Sequence, residues 1–401
     1  MYSSPVLPLD NSEPFDTARD TEFFAALPSR PGVLRIEMGE AGRPYLARTA
    51  DIRRAAQRLL GVPEENSKRL NLRDMAAQVA YRATGSKFEQ TLTLYEQARN
   101  FLPDRYRELL RLRPPAVLKI NLRNPYPRCH VTRRIRADEG FYFGPFASRR
   151  SAEAFSESFL DLFKIRRCQI KIRRDPNFPG CIYSEMKMCL APCFAGCTKE
   201  EYDAEVALVV ETLDTAGGAL TAKFEREREA ASEALDFERA AALHKRLEKV
   251  AAALRGLPEL ARRVEELDAV ILQRGNDEKT IVVFPLLGGV LAEAIFLNFA
   301  ELSSQPRSVE AILRRALQPE TAAPPRENEE SGAGDWRKRY GLRAAPEELP
   351  EHLSLVARWF YSKPRGGEIL FREDDWPYRR ILRACSRLLA PNTSSLEPPT
   401  S

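Results

Sequence analysis

The chain has 401 residues, with 62 Lys+Arg against 57 Asp+Glu and 43% hydrophobic residues. That length suggests two or three domains. The apolar fraction argues against wholesale disorder, and there is enough chain to bury a core without disulfide staples. The net charge of +5 is uneven: Asp104 to Asp175 holds 18 Lys+Arg and 8 Asp+Glu, a local net of +10, so the rest is acidic by about 5. A concentrated basic segment fits a phosphate-rich partner, or else an Arg-rich solvated face.

Residues 1–20 read as a polar leader, with neither the basic start nor the apolar stretch of a secretory signal. A strand, PGVLRIEM, is followed by a turn at Gly42, a short strand PYLAR and a helix capped by Asp51. Helical patterns cover 73–83 and 86–112 and stop at Pro114-Pro115. AVLKINL (116–122) and CHVTRRI (129–135) read as strands, FYFGPF (141–146) as aromatics around a Gly-Pro turn, and Ser151 to Phe163 as a helix. From 199 to 264 the chain is Ala-, Glu- and Arg-rich, with apolar positions such as Leu235, Ala240, Leu243 and Leu247 at helical spacing. The most apolar run, 281–300, contains Pro285, Gly288, Gly289 and Glu293 and reads as a hairpin, not a membrane span. Residues 317–347 read as a linker, HLSLVARWFYS as a helix before EILF and a further helix over 377–390, and the last ten residues as disordered. The expected compartment is the cytoplasm.

Five of the seven cysteines fall between 168 and 197. The spacing Cys168-x12-Cys181-x7-Cys189-x3-Cys193 lacks the close pairs of zinc ribbons. It suits an iron–sulfur cluster, with zinc as the alternative. Buried thiols without metal would be the plain structural reading.

RRC-x12-C-x7-CLAPC, preceded by FYFGPFASRRSAEAFSESFLDLFKI, resembles the middle of UvrC, the incision subunit of bacterial nucleotide excision repair. The resemblance places iron–sulfur ligands, of the 4Fe–4S kind, at Cys168, Cys181, Cys189 and Cys193, with Cys197 outside the pattern. EREREAASEALDFERAAALHKRLEKV (225–250) resembles a UVR motif, the helical hairpin that binds UvrB. Its core here is Leu235, Phe237, Glu238, Ala240, Ala241 and Leu247. Periodicity alone would favour a self-packed hairpin, and it is the resemblance that points to a partner. Residues 268–301 are similar to the β-rich segment after that hairpin, and 352–371 more weakly to the segment before the family's second nuclease.

UvrC proteins begin with a GIY-YIG nuclease domain that makes the 3′ incision with a tyrosine, an arginine and a metal-binding glutamate. Here the first-motif tyrosine is replaced by Leu34, Tyr45 keeps the second with Ala47 for its glycine, and the arginine falls on Ala55. Arg53, Arg54 and Arg58 are near but displaced. One register places the glutamate at Glu96 and another loses it at Leu94; Tyr106-Arg107 stand where an asparagine is expected. The RNase H-like nuclease and the helix-hairpin-helix pair of the family are not expected here, and His352 reads as a surface residue.

The expectation is therefore an α+β, multidomain chain. It comprises a degenerate GIY-YIG-like domain (21–112), a basic β/Cys-rich region (113–198), a UVR hairpin (199–264), a β-rich segment (265–305), a linker (306–350) and a C-terminal helical remnant with a tail (351–401). The resemblance implies a UvrC-like repair subunit with UvrB and damaged double-stranded DNA as partners. Its alternative is a non-catalytic adaptor. Candidate catalytic residues are Tyr45 and Glu96, with magnesium only if that site is active. Candidate DNA contacts are Arg133, Arg134, Arg136, Arg149, Arg150, Arg166 and Arg167, with aromatics interleaved.

Overall fold

A computed structural model describes residues 7–39, 42–64, 68–136, 140–301, 308–317 and 348–390. Mixed helix and sheet fall into three sheets, each with its own helices.

The first sheet has the order β1 (Asn11–Pro14), β4 (Ala76–Ala83), β2 (Gly32–Met38), β3 (Tyr45–Thr49), all antiparallel. Helices α1 (Asp20–Ala26) and α2 (Ile52–Leu60) cover one face, where Phe23, Leu34, Ile36, Ala55 and Val79 share a core. The Asp51 side chain caps α2 by accepting the Arg54 N–H at 2.9 Å. The opposite face, through Val33 and Leu46, meets α3 (Lys87–Phe101). A short α4 (Tyr106–Leu109) follows. The leader expected over 1–20 is thus partly structural: β1 extends the sheet, and Leu7 and Phe15 are buried.

The second sheet has the order β6 (Cys129–Thr132), β5 (Ala116–Asn121), β7 (Gly140–Phe146), β8 (Arg262–Arg263). The Gly-Pro pair expected to turn the chain instead lies inside β7. Phe146, Phe155, Phe159 and Phe163 form a chain of ring contacts, 4.9–5.4 Å between centroids, that joins this sheet to α5 (Arg149–Leu160). The cysteine loop follows, with α6 (Ile182–Glu185) inside it. Then come α7 (Lys199–Asp214) and a hairpin of α8 (Gly218–Glu233) and α9 (Phe237–Leu254). Thr198 and Glu201 form a reciprocal capping box that starts α7.

The third sheet has the order β11 (Val290–Leu291), β10 (Thr280–Leu287), β9 (Ala269–Arg274), β13 (Glu368–Phe371), with β12 (Ile295–Asn298) also on β10. The expected Gly-Gly hairpin is present: Gly288 and Gly289 take φ of 54° and 78° between β10 and β11, the conformation a two-residue hairpin demands. Both faces of this sheet are covered. Val270, Leu272, Ile281 and Val283 pack on α10 (Val309–Leu317) and α12 (Tyr378–Leu389). Ile271, Val282 and Phe284 face α3 and α11 (Glu348–Phe360).

So α3 is buried nearly all round, between the first sheet and the third, with Phe88 and Phe284 edge to face at 5.1 Å. The C-terminal remnant is therefore part of the core. The linker expected over 306–350 lies mostly outside the described residues, but Val309–Leu317 is helical. The disordered tail expected at the end also falls outside them.

Candidate functional site

The chemistry-bearing residues gather in the second unit. Arg166 is only 4% exposed. Its Nε donates to the Tyr126 carbonyl at 2.7 Å and its Nη1 to the carbonyls of Ile170 at 2.8 Å and Cys168 at 3.2 Å. The Tyr202 hydroxyl accepts the Arg166 N–H at 2.9 Å and donates to Pro127 O at 2.8 Å. Arg166 was expected among the DNA contacts. The structure gives it a different role: the Nε and Nη1 of this buried side chain pin the start of the cysteine loop instead of facing solvent.

Past Arg166 the loop folds back on itself. Leu190 N–H donates to Lys164 O at 2.9 Å, and Asp175 N–H to Cys193 O at 2.9 Å. Ala191 and Ala195 take left-handed φ of 57° and 61° around the Pro192–Phe194 turn, a conformation that non-glycine residues adopt where surrounding contacts impose it. This folding places Cys168, Cys181, Cys189 and Cys193 within electrostatic reach of one another. Burial, joined by the other three sulfurs, pushes the Cys189 thiol up to about 11, against the Ala191 N–H that donates to its Sγ at 3.3 Å. Burial likewise raises Cys193.

Among the described residues, no three His, Cys, Asp or Glu side chains converge on a position that would hold a single metal ion. One zinc ion would need sulfurs ~3.8 Å apart, from Zn–S bonds of ~2.3 Å in a tetrahedron. The four loop thiols are electrostatic neighbours that do not converge on one point. Cys197 is 5% exposed and packs into the hydrophobic core under α7, and Cys129 and Cys385 are buried core residues.

The hairpin presents a different surface. At its tip Leu235 is 72% exposed and Phe237 66% exposed, on a turn where Leu235 takes φ of 58°. Glu238 and Ala241 are also exposed, and Ala240 and Leu247 are half-buried along α9. Leu243 and Val250 face inward. The hairpin therefore packs its own apolar stripe and still leaves two large apolar side chains at the end.

Tyr45 and Glu96 are not brought together. Tyr45 packs with the core on the α1/α2 face, beside Leu34 and Ala55. Glu96 is half-buried on α3, across the sheet, where its surroundings are Arg99 and Glu348. Burial pushes its carboxyl up to about 7, with Arg99 opposing and Glu348 adding. Arg53 donates to Leu27 O at 2.7 Å and Ala25 O at 3.1 Å, so it ties α2 to the end of α1. Arg54 is exposed and lies 3.7 Å from Asp51.

Of the remaining arginines, Arg133, Arg134, Arg136, Arg149 and Arg150 are exposed. Arg149 pairs with Glu153 at 2.7 Å, and Arg167 pairs with Asp161 at 2.8 Å.

Comparison with known proteins bears on the same region. The family described as "UvrC/Cho excinuclease, middle domain" matches residues 116–212, which span the second sheet, the cysteine loop and most of α7. The chain is 29% identical over 278 residues to UvrABC system protein C of Nitratidesulfovibrio vulgaris, covering 69% of this chain and 38% of that one. It is 30% identical over 199 residues to that of Desulfatibacillum aliphaticivorans (49% and 33%), and 25% identical over 382 residues to that of Moorella thermoacetica (94% and 58%). The chain shares the UvrC middle domain and is similar to UvrC proteins beyond it. It spans between a third and three fifths of the length of these curated relatives. No solved structure matches it.

Within this UvrC-like chain, two groups escape sequence reasoning. One is the Arg166–Tyr202–Tyr126 clamp, in which Tyr126 and Tyr202 meet edge to face at 5.3 Å. The only signal is an arginine two positions before the first cysteine, which basic charge counting assigns to DNA. The other is a buried knot at the C-terminal helix. Glu351 accepts from Tyr95 Oη at 2.7 Å, Tyr106 Oη at 2.8 Å and Arg107 Nε at 2.7 Å. His352, expected at the surface, is 5% exposed, and its Nδ1 accepts the Leu291 N–H at 3.1 Å. Nothing local in the sequence announces either pairing, because the partners lie 36 to 256 residues apart.

Among the described residues, no helix is long and apolar enough to cross a membrane.

Proposed function

We propose that this chain acts in bacterial nucleotide excision repair as a UvrC-type subunit that docks on UvrB and on DNA. The observation that carries the reading is the hairpin tip. Leu235 and Phe237 are large, apolar and solvent-exposed side by side, as anchors for a partner's groove would be. The exposed arginines of 133–150 supply a surface for phosphates. The four loop cysteines would hold an iron–sulfur cluster, and when bound it would cross-link a loop that has little regular structure of its own. Arg166 orients the first of those cysteines, and the Ala191 N–H supports the third.

A second reading, a non-catalytic adaptor that occupies UvrB, is favoured by one specific observation. Tyr45 and Glu96 lie on opposite faces of the first sheet, and the positions that would complete the nuclease set are Leu34 and Ala55, both buried in an apolar core. A water-activating group, a phosphate-steadying cation and a metal carboxylate must share one site to act on one phosphodiester.

An incision assay separates the readings. The protein and magnesium are added to UvrB loaded on an end-labelled damaged duplex. Retention on the complex without a nick is the adaptor outcome. A nick 3′ to the lesion would establish residual incision and overturn the adaptor reading. Absence of retention would remove the docking proposal itself.

A further inference from the structure

The cysteine loop and the helical hairpin enclose a cleft of about 540 Å³. Its walls carry Lys164, Arg167, Lys187, Lys223, Arg246 and Lys249 against only two carboxylates, Asp161 and Glu205. Both carboxylates are already engaged. Asp161 pairs with Arg167 at 2.8 Å, and Glu205 accepts the Lys164 backbone N–H. Among the described residues, Lys164, Lys187, Lys223, Arg246 and Lys249 make no ion pair. With Arg167 paired to Asp161, five cations share the cleft with the single carboxylate of Glu205, and in a concave site that excess focuses a field that isolated surface lysines do not.

The floor of the cleft is not polar. Phe224 is half-buried there, with the Arg246 guanidinium 5.7 Å from its ring centroid, and Met186 is 61% exposed at the rim. Cations that follow a backbone, combined with a ring face for a base, are the chemistry of unpaired nucleic acid. A regular duplex would meet the lysines but keep its bases out of reach of a recessed ring. An acidic peptide would use the lysines and gain less from the ring.

We propose that this cleft binds an unpaired strand of DNA, with phosphates on Lys187, Lys223 and Lys249 and a base against Phe224. The site is distinct from the exposed arginines of 133–150, and it rests on the DNA-binding reading above. One wall, including Met186 and Lys187, belongs to the loop between Cys181 and Cys189, so the cysteines would set the shape of the cleft.

The test uses the intact chain and fluorescence anisotropy with a labelled single-stranded oligonucleotide and the matching duplex, each over a salt series. For the double variant Lys223→Ala/Lys249→Ala, single-strand affinity should fall ~10-fold or more, and the slope of log affinity against log salt should shrink by ~1.4, from two lost phosphate contacts. Phe224→Leu should weaken single-strand binding ~10-fold with the slope unchanged. All three positions carry half-exposed or exposed side chains, and melting temperature checks that the fold is kept. If the parent binds single strands and both variants bind equally well, the cleft proposal is overturned while DNA binding stands. Should the parent bind no DNA at all, both fall. If the variants lose only an acidic partner peptide, the cleft is a protein-docking site and the proposal is wrong.

Discussion

The Tyr95 hydroxyl donates to the Glu351 carboxylate at 2.7 Å across 256 positions of sequence. Tyr106 and Arg107 donate to the other carboxylate oxygen, and Arg99 pairs with Glu348 one turn away. Burial and the nearby carboxylate hold the Tyr95 phenol protonated well above its usual range, so it remains a donor. This knot fastens α11 to the first unit, in the place where the family resemblance set part of a nuclease site.

Removing the acceptor should therefore be costly. Glu351→Ala leaves the two buried hydroxyls of Tyr95 and Tyr106 without their acceptor, and each orphaned buried group costs ~1–3 kcal/mol. Urea denaturation should show a loss of about 3 kcal/mol at unchanged slope, with Tyr95→Phe losing about 1 kcal/mol. A Glu351→Ala protein as stable as the parent would mean that water replaces the carboxylate.

Two groups next to the knot, buried His352 and half-buried Glu96, give opposite pH signatures. Burial holds the His352 imidazole down at about 3, from 6.5. Its depressed value means that stability is present above pH 6.5 and is lost as pH falls towards 3. Glu96 is raised from 4.5 to about 7, so its contribution is present below pH 4.5 and lost as pH rises through 7. Between pH 4.5 and 6.5 the two oppose. Melting temperature across that window should rise with pH in Glu96→Gln and fall with pH in His352→Gln. Identical profiles for the two variants would refute the assignment.

At the hairpin tip, Phe237→Ala should weaken UvrB binding by at least tenfold, about 2 kcal/mol for an apolar anchor. The side chain touches little of its own protein, so the melting temperature should move by less than a degree or two. Surface plasmon resonance against UvrB measures the first effect. A large drop in stability with unchanged binding would show that the tip is structural.

The cysteine loop makes a compositional prediction. Protein prepared without oxygen should contain iron and acid-labile sulfide, and Cys189→Ala should lose both. Stoichiometric zinc with no iron would sink the cluster.

Local signals made much of the architecture legible. Asp51 announces the start of α2, the Gly288-Gly289 pair announces a hairpin, and a short continuous apolar run announces β9. The four cysteines stood out by density alone. What the sequence hid is long-range. The C-terminal helices look like an appendage because nothing in HLSLVARWF says that its apolar face meets α3. Arg166 looks like its arginine neighbours, since composition cannot separate a guanidinium that faces solvent from one that faces three carbonyls. Tyr45 keeps its motif position, yet strand alternation sends its ring to the face opposite Glu96.

The third sheet also sets a timetable for synthesis. Strand β9 pairs on one side with β10 and on the other with β13, about a hundred residues later in the chain. At ribosomal speeds of ~5–20 residues per second, β13 follows β9 by about 5–20 s. Throughout that interval the nascent protein carries an apolar strand with one open edge, the kind of template on which chains adhere to one another. A translational pause between residues 301 and 368 would lengthen that exposure, so yield of intact protein should respond to codon choice there more than anywhere earlier in the gene.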